Sequence, residues 1–268
     1  MRRRGTKPRR YKVRVKGTTV RYTAIGEGEP VVLVHGLSNS TRAWVRNIPA
    51  LSERYRLYLV DLPGFGSQSL PKRGLKDRLL RRGRGERGFH LSRAAAWLGD
   101  WMEATGVGPA HVIGHSMGGY ICLRLAVERP EYVRRLVLVS PAGVPTGRSL
   151  TGYVVPLLTT ARYTDPRFLN IVAYDALRAG PRTLLRAARD VMQGDVREEI
   201  GSVAAPTLLV WGRHDDFVPT TLARALREGI PGSRLLMMEG GSHVPMFDRA
   251  GEFNEAVERF LAGEPVGE

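Results

Sequence analysis

Near the middle of the chain a short apolar strand runs into a glycine-rich turn and then into a helix: Val112-Ile113-Gly114-His115-Ser116-Met117-Gly118-Gly119. The G-x-S-x-G pattern requires small residues at Gly114 and Gly118, because they leave room for a strained backbone and for close packing of strand against helix. The turn would lift the Ser116 hydroxyl above the sheet, and the unpaired N–H groups at the start of the helix would face it. This arrangement favours negative charge at that hydroxyl and predicts a nucleophilic serine.

The residues on both sides support this interpretation over that of an ordinary serine in a glycine-rich turn. Residues 110–113 are typical of a buried strand, and Tyr120 to Arg129 has the spacing of an amphipathic helix that Pro130 would end. A strand before the serine and a helix after it are what the pattern needs.

Apolar runs recur along the chain, with helical patterns between most of them. The predicted strands are Tyr11–Lys16, Thr18–Ile25, Val31–Val34, Leu57–Val60, Val112–Ile113, Leu136–Val139, Thr207–Trp211 and Arg234–Met238. Polarity alternates in the first two strands around Gly17, which predicts an antiparallel hairpin at a sheet edge. The continuous apolar run at Val31–Val34 predicts a strand covered on both faces. The expected fold is therefore α/β, with a mostly parallel central sheet and helices on both faces.

The alternation stops between residues 144 and 203, where helical stretches follow one another without a clear strand. We expect this segment to be a small helical cap inserted into a core domain formed by residues 1–143 and 204–268, with the basic residues 1–10 flexible. The apolar side chains of the segment are expected to roof a largely hydrophobic pocket. They are Val154, Val155, Leu157, Leu158, Phe168, Leu169, Ile171 and Leu177.

Two segments account for the whole net charge of +15. Residues 1–26 contain ten basic side chains and no acidic one, and residues 71–87 contain eight basic and two acidic ones. Neither segment carries the interleaved aromatic residues that single-strand binding uses, and no helix-turn-helix or zinc pattern is present. Specific nucleic-acid binding is therefore not expected.

The chain has features of a cytoplasmic protein. No apolar run approaches the roughly 20 residues of a membrane span, and no apolar stretch follows the basic start at Arg2 to Arg4 as it would in a signal peptide. The single cysteine, Cys122, cannot form an internal disulfide, which fits a reducing compartment.

A serine hydroxyl near neutral pH needs a base within hydrogen-bond reach and an acid that orients this base. His243 is the best candidate for the base, because it follows the last predicted strand on a glycine-rich loop, Glu239 to Pro245. His35 and His115 lie in tight turns beside buried strands, where a structural hydrogen-bonding role is expected instead.

The acid is expected in the loop after the preceding strand, which reads Gly212-Arg213-His214-Asp215-Asp216-Phe217-Val218-Pro219. Either Asp215 or Asp216 could be a solvated turn residue. The chain order Ser…Asp…His favours a catalytic role for one of the two.

Taken together, the motifs resemble the α/β-hydrolase family, and in particular its cofactor-free serine esterase-like branch with a helical cap. The resemblance extends from about Tyr22 to Leu261. It implies that Asp215 is the acid and His243 the base, and that the segment from Asp61 to Ser67 is a structural turn. It also implies an oxyanion hole formed by two backbone N–H groups. These belong to Leu37, after the His35-Gly36 pair, and to Met117, after the nucleophile Ser116.

The resemblance implies a serine hydrolase that cleaves small carboxylic esters with uncharged acyl groups through an acyl-enzyme, without metal or organic cofactor. One alternative is a C–C bond hydrolase of ring-cleavage products, although the glycine-rich turn of those enzymes is replaced by Leu37-Ser38-Asn39-Ser40. Another is a non-enzymatic ligand-binding protein on the same fold.

The family strand order would also bring the two basic segments to one side of the sheet, where they are expected to form a patch that contacts anionic surfaces weakly.

Overall fold

Eight strands form one sheet in the computed structural model of the chain, which describes residues 7–68, 90–149 and 151–268. They are β1 (Arg9–Val15), β2 (Thr18–Ile25), β3 (Glu29–Val34), β4 (Tyr55–Val60), β5 (Ala110–His115), β6 (Val133–Val139), β7 (Thr207–Gly212) and β8 (Arg234–Met238). Their order across the sheet is β1-β2-β4-β3-β5-β6-β7-β8. β2 runs antiparallel to β1 and β4, and every other neighbouring pair is parallel. The predicted mostly parallel sheet with a hairpin at its edge is confirmed.

Nine α-helices lie in the described parts of the chain. They are α1 (Ile48–Leu51), α2 (Ala94–Thr105), α3 (Met117–Glu128), α4 (Val154–Ala161), α5 (Pro166–Ala179), α6 (Pro181–Gln193), α7 (Thr220–Gly229), α8 (Pro245–Asp248) and α9 (Ala250–Leu261). Short 3₁₀ turns occupy Thr41–Trp44, Gly66–Gln68, Leu91–Arg93, Pro130–Tyr132, Thr151–Tyr153 and Ile200–Ser202. The helix predicted after Ser116 ends at Glu128, just before Pro130, because proline cannot continue a helix.

Both faces of the sheet are covered, as the continuous apolar strands require. Successive side chains of a strand point to opposite faces. Val32 and Val34 of β3 accordingly join an apolar cluster with helices α2 and α3, whereas Val31 and Leu33 join a second cluster with α9. All four side chains are fully buried. Alternation between polar and apolar residues is absent from β3 because neither of its faces meets water.

The strand that opens the sheet starts earlier than the sequence predicts. Arg9 and Arg10 already pair with Ala24 and Thr23 of β2, so the expectation that residues 1–10 are flexible is wrong for these two residues. Backbone pairing with a long partner strand extends β1 here, and that pairing leaves no mark in the side-chain pattern. Residues 1–6 and the arginine-rich segment 71–87 lie outside the described residues. The expected common basic patch therefore stays a prediction.

Residues 144–203, called here the inserted segment, run between β6 and β7. The described part of this segment contains α4, α5 and α6 and no strand, as the sequence predicts. In the described ranges of the whole chain, no helix combines the length and the apolar character needed to cross a membrane.

Close contact between α3 and the strands leaves no room for side chains at the glycines of the turn. A Cβ atom added to Gly114 would lie 2.5 Å from the carbonyl oxygen of Gly118 and 2.6 Å from Sγ of Cys122. We predict that Gly114→Ala lowers the free energy of unfolding by about 1–3 kcal/mol, because overpacking forces the backbone to shift. Urea-induced unfolding of the variant and the wild type measures this difference.

Gly251→Ala in α9 is the matched control, since a Cβ atom there would meet no heavy atom within 4 Å. Alanine is the better helix former, so this variant should be as stable as the wild type or up to about 1 kcal/mol more stable. An equal loss of stability in both variants would contradict the packing argument.

Candidate active site

Ser116 lies between the end of β5 and the first residue of α3, in a backbone conformation that only a constrained turn maintains. Its φ is 52° and its ψ is −118°, in a region that residues other than glycine rarely adopt. The neighbouring turns hold it there, because its N–H donates to the carbonyl oxygen of Val139 and its own carbonyl accepts from Ala142. The residue is 6% exposed. Such strain is maintained where the surrounding packing over-determines it, and it is common at functional sites.

His243 reaches Ser116 from the loop that follows β8. Its Nε2 lies 3.0 Å from the Ser116 Oγ, and its Nδ1 lies 2.8 Å from Oδ2 of Asp215. A carboxylate can only accept, so Nδ1 carries the proton and Nε2 is left as an acceptor that faces the serine hydroxyl.

Asp215 follows β7, and it is fixed from both sides. Its Oδ2 faces His243, while its Oδ1 accepts a hydrogen bond of 2.8 Å from the backbone N–H of Val218. Its side chain is completely buried. Asp216 is exposed instead, and its backbone N–H donates to the Thr160 hydroxyl at 3.1 Å. Of the two aspartates, only Asp215 contacts His243.

The three side chains meet because β5, β7 and β8 are parallel and their carboxyl ends share one edge of the sheet. The loop after β3 reaches the same edge. A Cβ atom on Gly36 would lie 3.1 Å from the Ser116 Cβ, so this loop passes directly beside the serine. Leu37, the next residue, lines the same pocket as Ser116. Met117 is the first residue of α3 and is fully buried.

Two other histidines hold the backbone around the site. His35 accepts a hydrogen bond of 3.0 Å at Nε2 from the Leu62 N–H, so its Nδ1–H donates to the carbonyl oxygen of Gly36 at 2.9 Å. His115 Nε2–H donates to the backbone carbonyl of His243 at 3.0 Å. Burial, followed by the nearby His243, holds the pKa of His115 well below its usual value, and burial also lowers the pKa of His35. Both imidazoles therefore stay neutral and serve as hydrogen-bonding supports.

A pocket of about 130 Å³ opens above the serine hydroxyl. It is lined by Leu37, Ser116, Ala142, Gly143, Val144, Pro145, Thr146, Tyr153, Ala188, Val191, Met192, Phe217 and Val218. None of these lining residues carries a charge. The pocket therefore suits an apolar group placed against Ser116.

The residues expected to roof this pocket do not line it. Val154, Leu157 and Leu158 of α4 are more than half exposed, and Phe168 of α5 packs against Phe247 instead. The inserted segment contributes its first three residues, 144–146, then Tyr153, which precedes α4, and three side chains from α6. The sequence did not indicate these lining residues, because apolar periodicity predicts an amphipathic helix but does not tell which helix faces the serine.

Helix α5 is tied to the core at both of its ends. Asp165 at its start forms an ion pair of 2.6 Å with Arg46. Asp175 in its last turns accepts a hydrogen bond of 2.6 Å from the Ser40 hydroxyl, in the loop that also carries Leu37. Asp175 is only 2% exposed, and this burial raises the pKa of its carboxyl.

Across the described ranges, no three His, Cys, Asp or Glu side chains come together in a way that could hold a metal ion. The groups that converge around Ser116 can instead move a proton between a hydroxyl and an imidazole. This is the arrangement required for attack on a carbonyl carbon.

Comparison with known proteins places the chain in a family. The family model described as alpha/beta hydrolase fold matches residues 29–188, and a model described as TAP-like protein matches residues 187–265. The chain is 30% identical to a pimeloyl-acyl-carrier-protein methyl ester esterase of Aeromonas hydrophila, over 88% of this chain and 96% of that protein. It is also 30% identical to a 2-hydroxy-6-oxo-6-phenylhexa-2,4-dienoate hydrolase of Comamonas testosteroni, over 90% of this chain and 91% of that protein.

A solved structure of a serine hydrolase involved in carbazole degradation superposes with a TM-score of 0.75 and 26% identity, over 96% of this chain and 99% of that one. Sequence family, curated relatives and fold therefore agree, and the chain belongs to the α/β-hydrolase fold family.

Proposed function

We propose that this hydrolase cleaves carboxylic esters through an acyl-enzyme, with Ser116 as nucleophile, His243 as base and Asp215 as the acid that orients the base. The observation that carries the proposal is the continuous hydrogen-bond chain from Asp215 Oδ2 through both His243 nitrogens to Ser116 Oγ. The relative named as a methyl ester esterase supports ester cleavage.

The geometry supports the following mechanism. Ser116 Oγ attacks the ester carbonyl while its proton passes to His243 Nε2, and Asp215 stabilises the resulting imidazolium. The tetrahedral intermediate collapses when His243 returns that proton to the leaving alcohol. Water then attacks the acyl-enzyme with His243 again as base, which releases the acid and restores the serine hydroxyl.

Two backbone N–H groups would stabilise the oxyanion of the intermediates, those of Leu37 and Met117. Support comes from their positions, since Leu37 lines the pocket of Ser116 and Met117 begins the helix that starts at the serine. In related chemistry a single donor of this kind contributes about 3–4 kcal/mol to transition-state stabilisation. The hydrogen bonds that His35 makes to the loop after β3 would help to keep the Leu37 N–H in place.

The inserted segment would serve as a cap over a core domain of residues 1–143 and 204–268. Tyr153, Ala188, Val191 and Met192 of this segment line the pocket opposite the serine, which supports this division. A cap that excludes water would strengthen every electrostatic interaction in the site.

A C–C bond hydrolase of ring-cleavage products is the second candidate, favoured by the relative named as a dienoate hydrolase. A dienoate carries a carboxylate that needs a cationic or strongly hydrogen-bonding partner when it is buried. Among the described residues, the pocket lining contains no arginine, lysine or histidine, so its chemistry favours a neutral acyl group.

Removal of either end of the proton-transfer pair should abolish most ester hydrolysis. We predict that Ser116→Ala and His243→Ala each lower kcat for a p-nitrophenyl ester by on the order of 10⁴-fold or more, and that the double variant is little worse, because the residues act as one unit. Ser233→Ala is the control, since the Ser233 hydroxyl donates to the backbone carbonyl of Arg227 and does not line the pocket of Ser116. Losses that multiply in the double variant would argue against a shared unit. Full activity of Ser116→Ala would exclude Ser116 as the nucleophile, and a wild type without ester turnover would favour the non-enzymatic alternative.

The two adjacent aspartates provide a matched pair of variants. Asp215→Asn should lower kcat by on the order of 10⁴-fold, because an amide neither stabilises the imidazolium nor enforces the correct tautomer. Asp216→Asn should cost at most a few-fold, since Asp216 faces solvent. Steady-state kinetics on both folded variants test this ranking, and the reverse order would exclude Asp215 as the orienting acid.

The neutral pocket should discriminate between acyl groups of equal length. We predict that kcat/KM for a butyryl or hexanoyl ester exceeds that for the ester whose acyl chain ends in a carboxylate by at least roughly tenfold, because the lining offers no partner for the charge. A 2-hydroxy-6-oxo-dienoate assayed in parallel should be turned over poorly. Efficient turnover of that compound together with slow ester cleavage would favour the C–C hydrolase.

A further inference from the structure

Helix α4 presents an entirely apolar face to solvent. At 3.6 residues per turn its outward side chains fall within an arc of about 160°. They are Val154, Val155, Leu157 and Leu158, which are 53%, 67%, 57% and 61% exposed. The opposite side of the helix is anchored by Pro156 and Thr160, which are buried. The helix is therefore held in place with its apolar side outward.

Such a face needs an explanation, because contiguous apolar patches on a protein surface mark interaction sites, whereas single exposed apolar residues do not. The sequence predicts that these residues roof the pocket, but other side chains line it. We therefore expect these apolar side chains to contact a partner outside the molecule.

Helix α6 presents cations to solvent. Its outward residues are Arg182, Leu185, Arg186 and Arg189. Within the described part of the chain, none of the three arginines has an acidic side chain within ion-pair distance. Arg162 follows the last residue of α4 and is exposed as well.

Few acids offset these cations. The acidic residues of the inserted segment are Asp165, Asp175, Asp190, Asp195, Glu198 and Glu199. Asp165 is paired with an arginine of the core, Asp175 is buried, and Asp190 accepts a hydrogen bond from a backbone N–H of the core. The last three lie beyond the end of α6. Asp216, from outside the segment, is exposed beside α4.

Both helices lie next to residues that line the same pocket. Tyr153 immediately precedes α4, and Ala188, Val191 and Met192 lie on the inner side of α6. The arginine face is thus carried by a helix that lines the pocket of Ser116, and the apolar face by a helix that begins directly after a lining residue.

We propose that the outward faces of α4 and α6 form a surface that docks on an anionic lipid bilayer. The apolar side chains of α4 would enter the boundary between headgroups and acyl chains, and the arginines of α6 would bind lipid phosphates. A second copy of this chain fits the surface less well, because each copy has a net charge of +15 and the arginines would face each other. If the proposed ester hydrolysis holds, the docked cap takes its substrate from the lipid layer, and the esters with apolar acyl chains that occur there are the substrate class.

The test measures binding and turnover separately. Protein carrying Ser116→Ala, which cannot consume a lipid ester, is sedimented with phosphatidylcholine vesicles that contain or lack 30 mol% phosphatidylglycerol. Added to this protein, Leu157→Ser/Leu158→Ser should weaken binding to the anionic vesicles by at least roughly tenfold without changing any charge. Arg182→Gln/Arg186→Gln/Arg189→Gln should weaken it by on the order of 100-fold, and raised salt should do the same.

The matched control is Arg224→Gln/Arg227→Gln/Arg234→Gln, which removes the same charge from exposed positions on and after α7. An equal loss of binding in this control, or no loss in the leucine variant, would mean that diffuse charge carries the binding and would overturn the proposal. Self-association of the lipid-free protein in sedimentation velocity, abolished by the leucine variant, would assign the surface to a second copy and overturn it as well.

A soluble short-chain ester, assayed with the leucine and arginine variants that retain Ser116, separates this proposal from the proposed function. Unchanged turnover shows that the variants are folded and the site is intact, and it supports a surface that acts only in docking. If the wild type turns over no ester yet binds vesicles through α4 and α6, the proposed hydrolysis fails while the docking surface stands.

Discussion

Direct backbone contact between helix α3 and the sheet governs the geometry around Ser116. A Cβ atom on Gly118 would lie 2.5 Å from the carbonyl oxygen of Val34, so the first turn of α3 rests against the end of β3. This contact brings the loop after β3, with Leu37, beside the serine. It also maintains the positive φ of Ser116, because a relaxed backbone would separate the helix from the strands. The position of the Ser116 hydroxyl thus depends on the packing of Gly118 against the end of β3.

Most of the architecture could be predicted because each strand and helix carries a local signal. Val31 to Val34 is continuously apolar since both faces are covered, and the G-x-S-x-G turn announces the junction of β5 and α3. The positions of His243 and Asp215 could be predicted from the chain order and from the parallel sheet, because the loops after parallel strands lie at one edge. Residue patterns left Asp215 and Asp216 open. The family resemblance selected Asp215, and in the structure Asp215 is the aspartate that contacts His243.

The failures have a common cause, which is that side-chain character does not reveal what covers a residue. The sequence predicts that the apolar residues of α4 face a pocket, whereas they face solvent and α6 supplies the lining. Both arrangements satisfy the same amphipathic pattern, because a helix can turn its apolar face toward the core or toward a partner. Arg9 and Arg10 are a similar case. Their pairing in β1 depends on backbone hydrogen bonds to β2, to which their charged side chains contribute nothing.

The buried contact between Asp175 and Ser40 limits how the inserted segment can move. A swing of α5 away from the core would strip a 2% exposed carboxyl of its hydroxyl donor and would also break the ion pair between Asp165 and Arg46. Leaving one buried polar group unsatisfied costs about 1–3 kcal/mol, which makes α5 the stiff part of the segment. Since Ser40 lies in the loop that carries Leu37, any movement of α5 would be transmitted to that loop.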